Sequence, residues 1–425
     1  MDQALRYVLL GAAVRLLLAP FFMHLWDTTT ILESTNQFLN GVNVYQYVTQ
    51  VTDLARSQSG LPVNYEGFAY LPHLLFIYAP FYWLYTAFLG VEYPIINGHA
   101  EPTTLIYPDI YYFLLAMKLP VILADLAIIY LLARRKPIAG LLYSLSPYSV
   151  MITSIWGNFD SIVGLLILAS YLTFNRNKTA SGLLYGLSLM KLYALAILPI
   201  YLVKLHRAPS QLARFTLGLA AALTPSLYFL LLDAESMLRV LLYHSTRSPK
   251  GLNMYNASTF LQGIEAQAPI ARLAIVAFTA AIIIVTVYVA KRKVDLREGI
   301  VAALLTYLIF GPVTNEQHLC AVLAIALLCE ATRIPIFMAS HIPLFYALFN
   351  AKPTYFATPL FWSNPELHDL WCKLSLHWDL TIGPYTLQIL YVMALAFAFT
   401  LIITLRRCLK TVSYTHLTLP TTERV

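Results

Sequence analysis

Long apolar runs, separated by short polar stretches, dominate the pattern of hydrophobic and polar positions along this chain. The runs at 304–310 and 395–405 are typical and contain no charged residue. Because polar residues do not recur at every second position, the runs differ from the strands of a transmembrane β-barrel. A backbone exposed to lipid must otherwise satisfy its hydrogen bonds within a helix. The pattern therefore predicts an all-α, polytopic integral membrane protein.

The apolar segments differ in length and in how they are interrupted. They lie near residues 4–25, 70–89, 109–133, 138–154, 159–174, 180–203, 210–232, 268–290, 297–312, 318–331, 334–350 and 384–405. Segment 70–89 is rich in Tyr and Phe and contains Pro72 and Pro80, so we expect a juxtamembrane or re-entrant helix that does not cross. Segment 180–203 is expected to be a hairpin of two short helices that turns near Lys191. Neither arm reaches the roughly 20 residues that a spanning helix needs.

Composition supports the same class of protein. Hydrophobic residues make up 59% of the chain and charged residues 12%, whereas about 25% of residues are charged in soluble proteins. The net charge is +7, but the Lys and Arg residues lie in short runs between apolar segments. That distribution is typical of cytoplasmic loops. It gives no reason to expect a nucleic-acid partner, and the expected surroundings are membrane lipids.

The basic runs predict the orientation of the helices. They are 134–136, Arg176 with Lys178, Lys204 with Arg207 and Arg214, 291–293 with Arg297, Arg333, and Arg406 with Arg407. One arrangement, with about twelve transmembrane helices and both termini inside, places all of them on the cytoplasmic side. It leaves a first outer loop at 26–108, with juxtamembrane helices, and a long outer loop at 233–267.

The termini need separate treatment. The first apolar segment lacks a small-residue cleavage site, so we expect it to remain as a helix. The last residues, 412–425, break the pattern that precedes them and resemble a translated sequencing adapter. We therefore expect a single transmembrane domain over 1–411 and a non-native tail. The four cysteines are not arranged as a CxxC pair, so they indicate no zinc or redox motif.

Ionisable side chains gather at the outer end of this arrangement. Asp27 directly follows the first apolar segment, and Asp160 lies in the turn 156–161. Both are candidate catalytic residues, because a carboxylate can deprotonate an acceptor hydroxyl. The candidate substrate-binding residues are Lys191, His244, Arg247, Asn256, Glu316, Gln317 and His318. The cations among them could hold a departing phosphate through charge-assisted hydrogen bonds.

Several of these polar residues also have a purely structural interpretation. Asp27 or Asp160 could cap the helix that follows it, and Lys191 could extend its ammonium group to the membrane interface. Lys118 and Asp125 share one helix face and are expected to make polar contacts between helices. Arg15 in the first helix is expected to do the same.

Short motifs follow Asp27 in a particular order. They are 41–45 (GVNVY), 65–72 (YEGFAYLP), 118–120 (KLP) with Asp125, 157–161 (GNFDS), 182–186 (GLLYG), 191–193 (KLY), 243–247 (YHSTR), 256–258 (NAS) and Gln317. No single motif is specific. Their order and spacing, over roughly residues 5–330, resemble GT-C glycosyltransferases, and most of all GPI mannosyltransferase I and its prokaryotic relatives.

The resemblance implies a GT-C-type helical bundle with its active site on the outer or lumenal face. It also implies a polyprenyl-phosphate-linked mannose as the donor. Family members often carry Asp-x-Asp in the first outer loop, but here Thr28 and Thr29 follow Asp27. The sequence therefore predicts no particular cofactor or set of metal ligands. Binding of a divalent cation is left as an alternative. The loop around Asn256 is about three residues longer than the family pattern.

The expected function is transfer of a hexose, with mannose favoured, to a glycan or lipid acceptor by an inverting single displacement. Asp27 would be the base, and Lys191, Arg247 and His318 would hold the donor phosphate. The alternative is a secondary transporter of a small solute or lipid-linked sugar, which would also explain broken helices. A non-catalytic assembly subunit is a third class. The expected location is the plasma membrane of a prokaryote, or the endoplasmic reticulum of a eukaryote.

Overall fold

The protein is built from α-helices, as a computed structural model of the chain shows. The structure describes residues 2–59, 67–89, 110–246, 250–252, 255, 267–350, 356–357, 366, 379–382 and 385–415. Arg247 and Asn256 lie outside the described residues, and so does the side chain of His244. The end of the tail, 416–425, also lies outside them.

The first half of the chain contains helices α1 to α9. Their bounds are Gln3–Leu18 (α1), Leu25–Leu39 (α2), Val44–Ser59 (α3), His73–Leu89 (α4), Ile110–Arg135 (α5), Pro137–Ser144 (α6), Pro147–Val150 (α7), Asp160–Thr173 (α8) and Lys178–Ser188 (α9). A 3₁₀ turn, Ala19–Phe21, extends α1, and a π-helical turn, Met151–Trp156, extends α7. The first of these turns leads toward Asp27, and the second leads into Asn158.

The second half contains helices α10 to α18. Their bounds are Leu198–Leu205 (α10), Pro209–Leu232 (α11), Ala234–Thr246 (α12), Gln267–Arg292 (α13), Leu296–Phe310 (α14), Leu319–Ala326 (α15), Glu330–Ala339 (α16), His341–Asn350 (α17) and Ile389–Thr415 (α18). Two 3₁₀ turns, Leu192–Ile197 and Glu316–His318, precede α10 and α15.

Short strands pair between loops. They are Met23–His24 (β1), Lys250–Gly251 (β2), Val313–Thr314 (β3), Phe356–Ala357 (β4), Asp379–Ile382 (β5) and Tyr385–Gln388 (β6). β1 pairs with β4 and β5 with β6, both antiparallel, whereas β2 and β3 are parallel. Each pairing has two strands.

The chain is an integral, multi-pass membrane protein. Within the described ranges, five helical stretches are long and apolar enough to cross a membrane: Gln3–Phe21, Tyr111–Arg135, Pro209–Leu232, Arg272–Arg292 and Val392–Lys410. A sixth span is formed if α6 and the segment Pro147–Trp156, which are bent by 50° relative to one another, are taken together. The sequence expectation of about twelve crossings goes beyond this count and stays a prediction.

Small residues allow the closest helix contacts. α9 packs along α11, and an added Cβ at Gly182 would lie 2.0 Å from the carbonyl oxygen of Phe215. An added Cβ at Gly218 would lie 2.0 Å from the carbonyl oxygen of Thr179. Glycine at both positions is what lets the two backbones approach, as at many membrane helix interfaces.

A buried ion pair joins α1 to α5. Arg15 donates from Nε to Oδ2 of Asp125 over 2.6 Å, and both side chains are fully buried. Tyr143 and Thr153 also donate to the Asp125 carboxylate, over 2.7 and 3.1 Å. The expected interhelical contact of Arg15 and Asp125 is confirmed. Because neither side chain can reach water, each charge needs the other as its partner.

The predicted hairpin over 180–203 is confirmed. α9 ends at Ser188, the chain breaks around Lys191, and the 3₁₀ turn Leu192–Ile197 leads into α10. The rings of Tyr185 and Tyr201 are 5.1 Å apart between centroids. That contact requires the chain to double back, because a continuous helix would separate these residues by roughly 24 Å.

One boundary prediction is wrong. The first helix ends at Leu18, and after the break at 22–24 a second helix already contains Asp27. At the other end, α18 continues through Thr415, past the predicted start of the tail at residue 412, and the non-native origin of the tail stays a prediction. No proline or glycine occurs between Lys410 and Thr415, so nothing local interrupts the helix once it has formed.

Candidate functional site

Asp27 lies in the first turn of α2. The helix is capped by His24, whose Nδ1 accepts a hydrogen bond from the backbone N–H of Asp27 over 3.2 Å. The interpretation of Asp27 as the helix cap is therefore wrong. Its side chain keeps about a seventh of its surface exposed, at 14%, so it is neither buried nor committed to the backbone.

One oxygen of the Asp27 carboxylate is held by a residue from another part of the chain. Asn158 donates from Nδ2 to Oδ2 of Asp27 over 2.7 Å, and Nδ1 of His24 lies 3.4 Å from the same oxygen. The other oxygen, Oδ1, has no hydrogen-bond partner within the part of the chain that the structure describes. The arrangement fixes the direction of the carboxylate and leaves one oxygen available.

Local backbone geometry explains where Asn158 points. The π-helical turn Met151–Trp156 ends at Gly157, which has φ +77°. Glycine adopts this left-handed conformation without steric strain. An added Cβ there would lie 3.0 Å from Cε of Lys118. The turn therefore reverses the chain tightly over the Lys118 side chain and directs Asn158 toward Asp27.

Lys118 fastens the two segments that carry Asp27 and Asn158. Four backbone carbonyl oxygens lie within hydrogen-bond distance of its buried ammonium group and share its three N–H donors. Those of Ala19 and Phe22 follow the first helix, and those of Ser154 and Ile155 belong to the π-helical turn. The distances to Ala19, Ser154 and Ile155 are 2.9, 2.7 and 3.1 Å. Because a cation is favourable at the carbonyl end of a helix, one ammonium group stabilises both ends at once.

Lys118 does not pair with Asp125, the other polar residue of its helix face. The carboxylate binds Arg15, whereas the ammonium group binds backbone carbonyls. The structural interpretation of both residues is confirmed, with partners that the sequence did not identify.

Asp160 and Lys191 form a second buried ion pair. The Lys191 ammonium donates to Oδ2 of Asp160, and the Tyr193 hydroxyl donates to Oδ1 over 2.6 Å. Asp160 is fully buried and Lys191 is 5% exposed. Asp160 does not cap its helix, and Lys191 does not extend to the membrane interface. Both oxygens of the Asp160 carboxylate are occupied, in contrast to Asp27.

Asn158 connects the two carboxylates. Its Oδ1 accepts from the backbone N–H of Asp160 over 3.1 Å and lies 3.5 Å from the Lys191 ammonium. The same side chain donates to Asp27 from Nδ2. The ammonium of Lys191 also lies 4.3 Å from the centre of the Phe159 ring, a distance suited to a cation–π contact.

The late segment around Glu316–His318 packs against this cluster. The His318 ring lies 4.9 Å from that of Tyr193, and its Nδ1 accepts from the backbone N–H of Asn315 over 3.3 Å. Nδ1 is therefore the acceptor, which places the proton of the neutral ring on Nε2. Glu316 and Gln317 are buried next to it, and the Glu316 carbonyl accepts from the Tyr148 hydroxyl over 2.6 Å.

The predicted outer loop 233–267 meets the same segment. β2 pairs with β3, and Leu252 donates its backbone N–H to the Thr314 carbonyl over 2.7 Å. Gly251 has φ +78°, and an added Cβ would lie 2.3 Å from that carbonyl. The predicted outer loop is thus anchored at residues 250–252, beside 313–314. Arg247, Asn256 and the side chain of His244 lie outside the described residues.

Burial controls the protonation of His24. It lowers the pKa of His24 from its ordinary value of 6.5, and the neighbouring Asp27 carboxylate opposes part of that shift. At neutral pH the ring is therefore uncharged, and it presents Nδ1 as an acceptor to the helix backbone.

Among the described residues, no group of three or more His, Cys, Asp or Glu side chains is arranged to hold a metal ion.

Sequence reasoning identified Asp27, Asp160, Lys191 and His318, and the structure brings these four into one connected cluster. It omitted Asn158, Tyr193 and His24 from the site. Asn158 and Tyr193 belong to the motifs 157–161 and 191–193, so motif membership was a usable signal. His24 carried no such signal, because only the short break before α2 makes it a cap.

No protein-family model matches the chain, and no curated protein sequence matches it.

Proposed function

We propose that this protein is a glycosyltransferase that moves a hexose, with mannose favoured, from a polyprenyl-phosphate donor to a glycan or lipid acceptor. The observation that carries the proposal is the carboxylate of Asp27. One of its oxygens is held by Asn158 at 2.7 Å, and the other has no partner in the described part of the chain. A base for an acceptor hydroxyl needs this combination of fixed direction and one available oxygen.

The reaction would be a single inverting displacement. The acceptor oxygen forms a bond to the anomeric carbon while the bond from that carbon to the phosphate oxygen breaks. Asp27 takes the proton of the acceptor hydroxyl, and the lipid phosphate leaves with the bonding electron pair. The cations near the site would stabilise the charge that develops on the phosphate.

The roles expected for the other residues differ from one another. Asp160 has both oxygens occupied, so it orients Lys191 and Asn158 and does not serve as a second base. Lys191, as the cation of this ion pair, contributes positive charge near the site. His318, with Arg247 and His244 from the anchored loop, remains a candidate ligand for the donor phosphate, beside Glu316, Gln317 and Asn256. The proposal includes a GT-C-type bundle of about twelve spans, with the site on the outer or lumenal face.

The test is transfer of labelled mannose from polyprenyl-phosphate mannose to methyl α-D-mannopyranoside by purified protein. Asp27→Asn should lower turnover by about 10²–10⁴-fold, the usual contribution of a positioned base. Asp53→Asn is the matched control, because Asp53 lies on α3 and pairs with exposed Arg239. Its rate should not change. Equal rates for Asp27→Asn and wild type, or no transfer from this donor, would contradict the proposal.

The second candidate function is a secondary transporter. The observation in its favour is the buried Arg15–Asp125 pair within two candidate spans, next to the bent pair of helices that starts at Pro137. Transporters often place charges and broken helices at mid-depth. Solute uptake into liposomes that contain the protein, abolished by Asp125→Asn and unaffected by Asp27→Asn, would favour this function.

A further inference from the structure

A small pocket lies beside Asp27, enclosed by α2, α4 and α5. It is lined by Thr28, Leu32, Tyr78, Met117, Lys118 and Gly157, among others. Thr28 directly follows Asp27, and Gly157 directly precedes Asn158, the residue that holds Asp27. The pocket therefore borders both segments that form the site, next to Asp27 on one segment and next to Asn158 on the other. Its free space suits about one water molecule or one hydroxyl group.

Tyr78 gives the pocket its polar character. Tyr78 is 1% exposed, and its buried hydroxyl has no hydrogen-bond partner among the residues described. A phenol hydroxyl both donates and accepts, and buried groups of this kind normally bind a water molecule or a ligand. Burial, and secondly the charge of Asp27, raise the pKa of Tyr78, so the hydroxyl keeps its proton and can donate.

The pocket offers no uncommitted positive charge. Lys118 contributes to its wall, but four backbone carbonyl oxygens lie within hydrogen-bond distance of the ammonium group and share its three N–H donors. Much of the remaining wall is apolar, with Leu32, Leu114 and Met117. A phosphate group would lose its hydration there without gaining a cation. A neutral hydroxyl, in contrast, needs only one partner such as Tyr78.

We propose that this pocket binds one hydroxyl group of the acceptor, with Tyr78 as its hydrogen-bond partner. The inference rests on the proposed function and adds the acceptor class, a neutral polyol such as a sugar residue. Vicinal hydroxyls of a sugar are close neighbours, so a hydroxyl held by Tyr78 places the adjacent one toward Asp27. In an inverting displacement the donor phosphate then lies on the far side of the anomeric carbon from the acceptor hydroxyl.

The test uses Tyr78→Phe, which removes one oxygen atom and keeps the packed ring. The probes are methyl α-D-mannopyranoside, a neutral polyol, and polyprenyl phosphate, the leaving group of the donor. For the full chain in detergent, Tyr78→Phe should weaken binding of the mannoside about tenfold, as expected for one lost hydrogen bond. Binding of polyprenyl phosphate should not change. Tyr82→Phe is the matched control, because Tyr82 lies on the same helix and donates to Asn36 over 3.2 Å.

The outcomes separate the pocket from the proposed function. If Tyr78→Phe binds the mannoside as tightly as wild type, or if wild type does not bind it, the inference about the pocket is wrong. If wild type binds the mannoside through Tyr78 but does not bind polyprenyl phosphate, the hydroxyl site is supported and the proposed donor is contradicted. Equal weakening in Tyr82→Phe would also overturn the assignment, since the effect would not be specific to Tyr78.

Discussion

Asn158 donates a hydrogen bond to Asp27 over 2.7 Å, although 131 positions separate the two residues in the chain. The bond occupies Oδ2 and leaves Oδ1 without a partner in the described residues. Lys118 holds together the two segments that bring these residues into contact. The geometry of the proposed base therefore depends on a lysine that lies behind it.

Replacement of Asn158 tests this dependence. Asn158→Ala removes the donor to Asp27 and the acceptor for the backbone N–H of Asp160. We expect turnover to fall about 10²-fold, because a displaced catalytic group loses most of its positioning advantage. Donor binding should change little. Asn177→Ala is the control: Asn177 caps α9 far from Asp27, so it should lower stability slightly and leave turnover intact. Equal effects of the two variants on turnover would contradict the positioning role.

The Asp160–Lys191 pair predicts a non-additive effect on stability. Asp160→Asn leaves the buried ammonium group without its counter-charge, which should lower the free energy of unfolding by about 3–5 kcal/mol. Asp160→Asn combined with Lys191→Met removes both charges and should recover much of that loss. Thermal unfolding in detergent measures both variants. Asp53→Asn, at an exposed pair, should cause no measurable loss. Additive losses in the double variant would show that the two side chains are not coupled.

His24 predicts a dependence of stability on pH. In the unfolded chain His24 takes up a proton as the pH falls through about 6.5, whereas burial lowers its pKa in the folded protein. Between those two pKa values the unfolded state binds more protons, so the free energy of unfolding decreases as the pH falls. The melting temperature should therefore drop between about pH 7 and pH 5.5.

The variant His24→Asn should reduce that drop, because asparagine still caps a helix and does not titrate. His206→Asn is the control, since the side chain of His206 is exposed. A pH dependence that is the same in wild type and His24→Asn would rule out His24 as its source.

Cysteine labelling tests the predicted topology. Single cysteines at positions 136 and 178 should react only after permeabilisation, and a cysteine at position 97 should react from outside. Cys372→Ser provides the background, because Cys320, Cys329 and Cys408 are buried. Reaction at position 97 only after permeabilisation would mean that α4 crosses the membrane. Positions 97 and 256, the latter also expected outside, lie outside the described residues.

The sequence alone predicted the features that depend on local properties of the chain, such as apolar length and the position of charges. A continuous apolar run must become a helix in lipid, because its backbone has no other source of hydrogen bonds. The hairpin near Lys191 followed from the basic runs, because segment 180–203 must return to its starting side if all of those runs are to be cytoplasmic. The gathering of Asp27, Asp160, Lys191 and His318 at one end followed from the alternation of helices between the two sides.

Tertiary structure alone decided which of these residues pair with one another. Asp160 binds Lys191 across 31 positions, and Asn158 binds Asp27 across 131. Lys118 binds carbonyl oxygens from two helix ends and not the carboxylate that shares its helix face. Such pairings depend on how helices that are distant in sequence pack and on where each helix ends, and a difference of one turn changes the partner. For the same physical reason, the sequence placed two carboxylates in the site, but only the packed structure showed that both oxygens of Asp160 are bonded, whereas Oδ1 of Asp27 has no partner among the described residues.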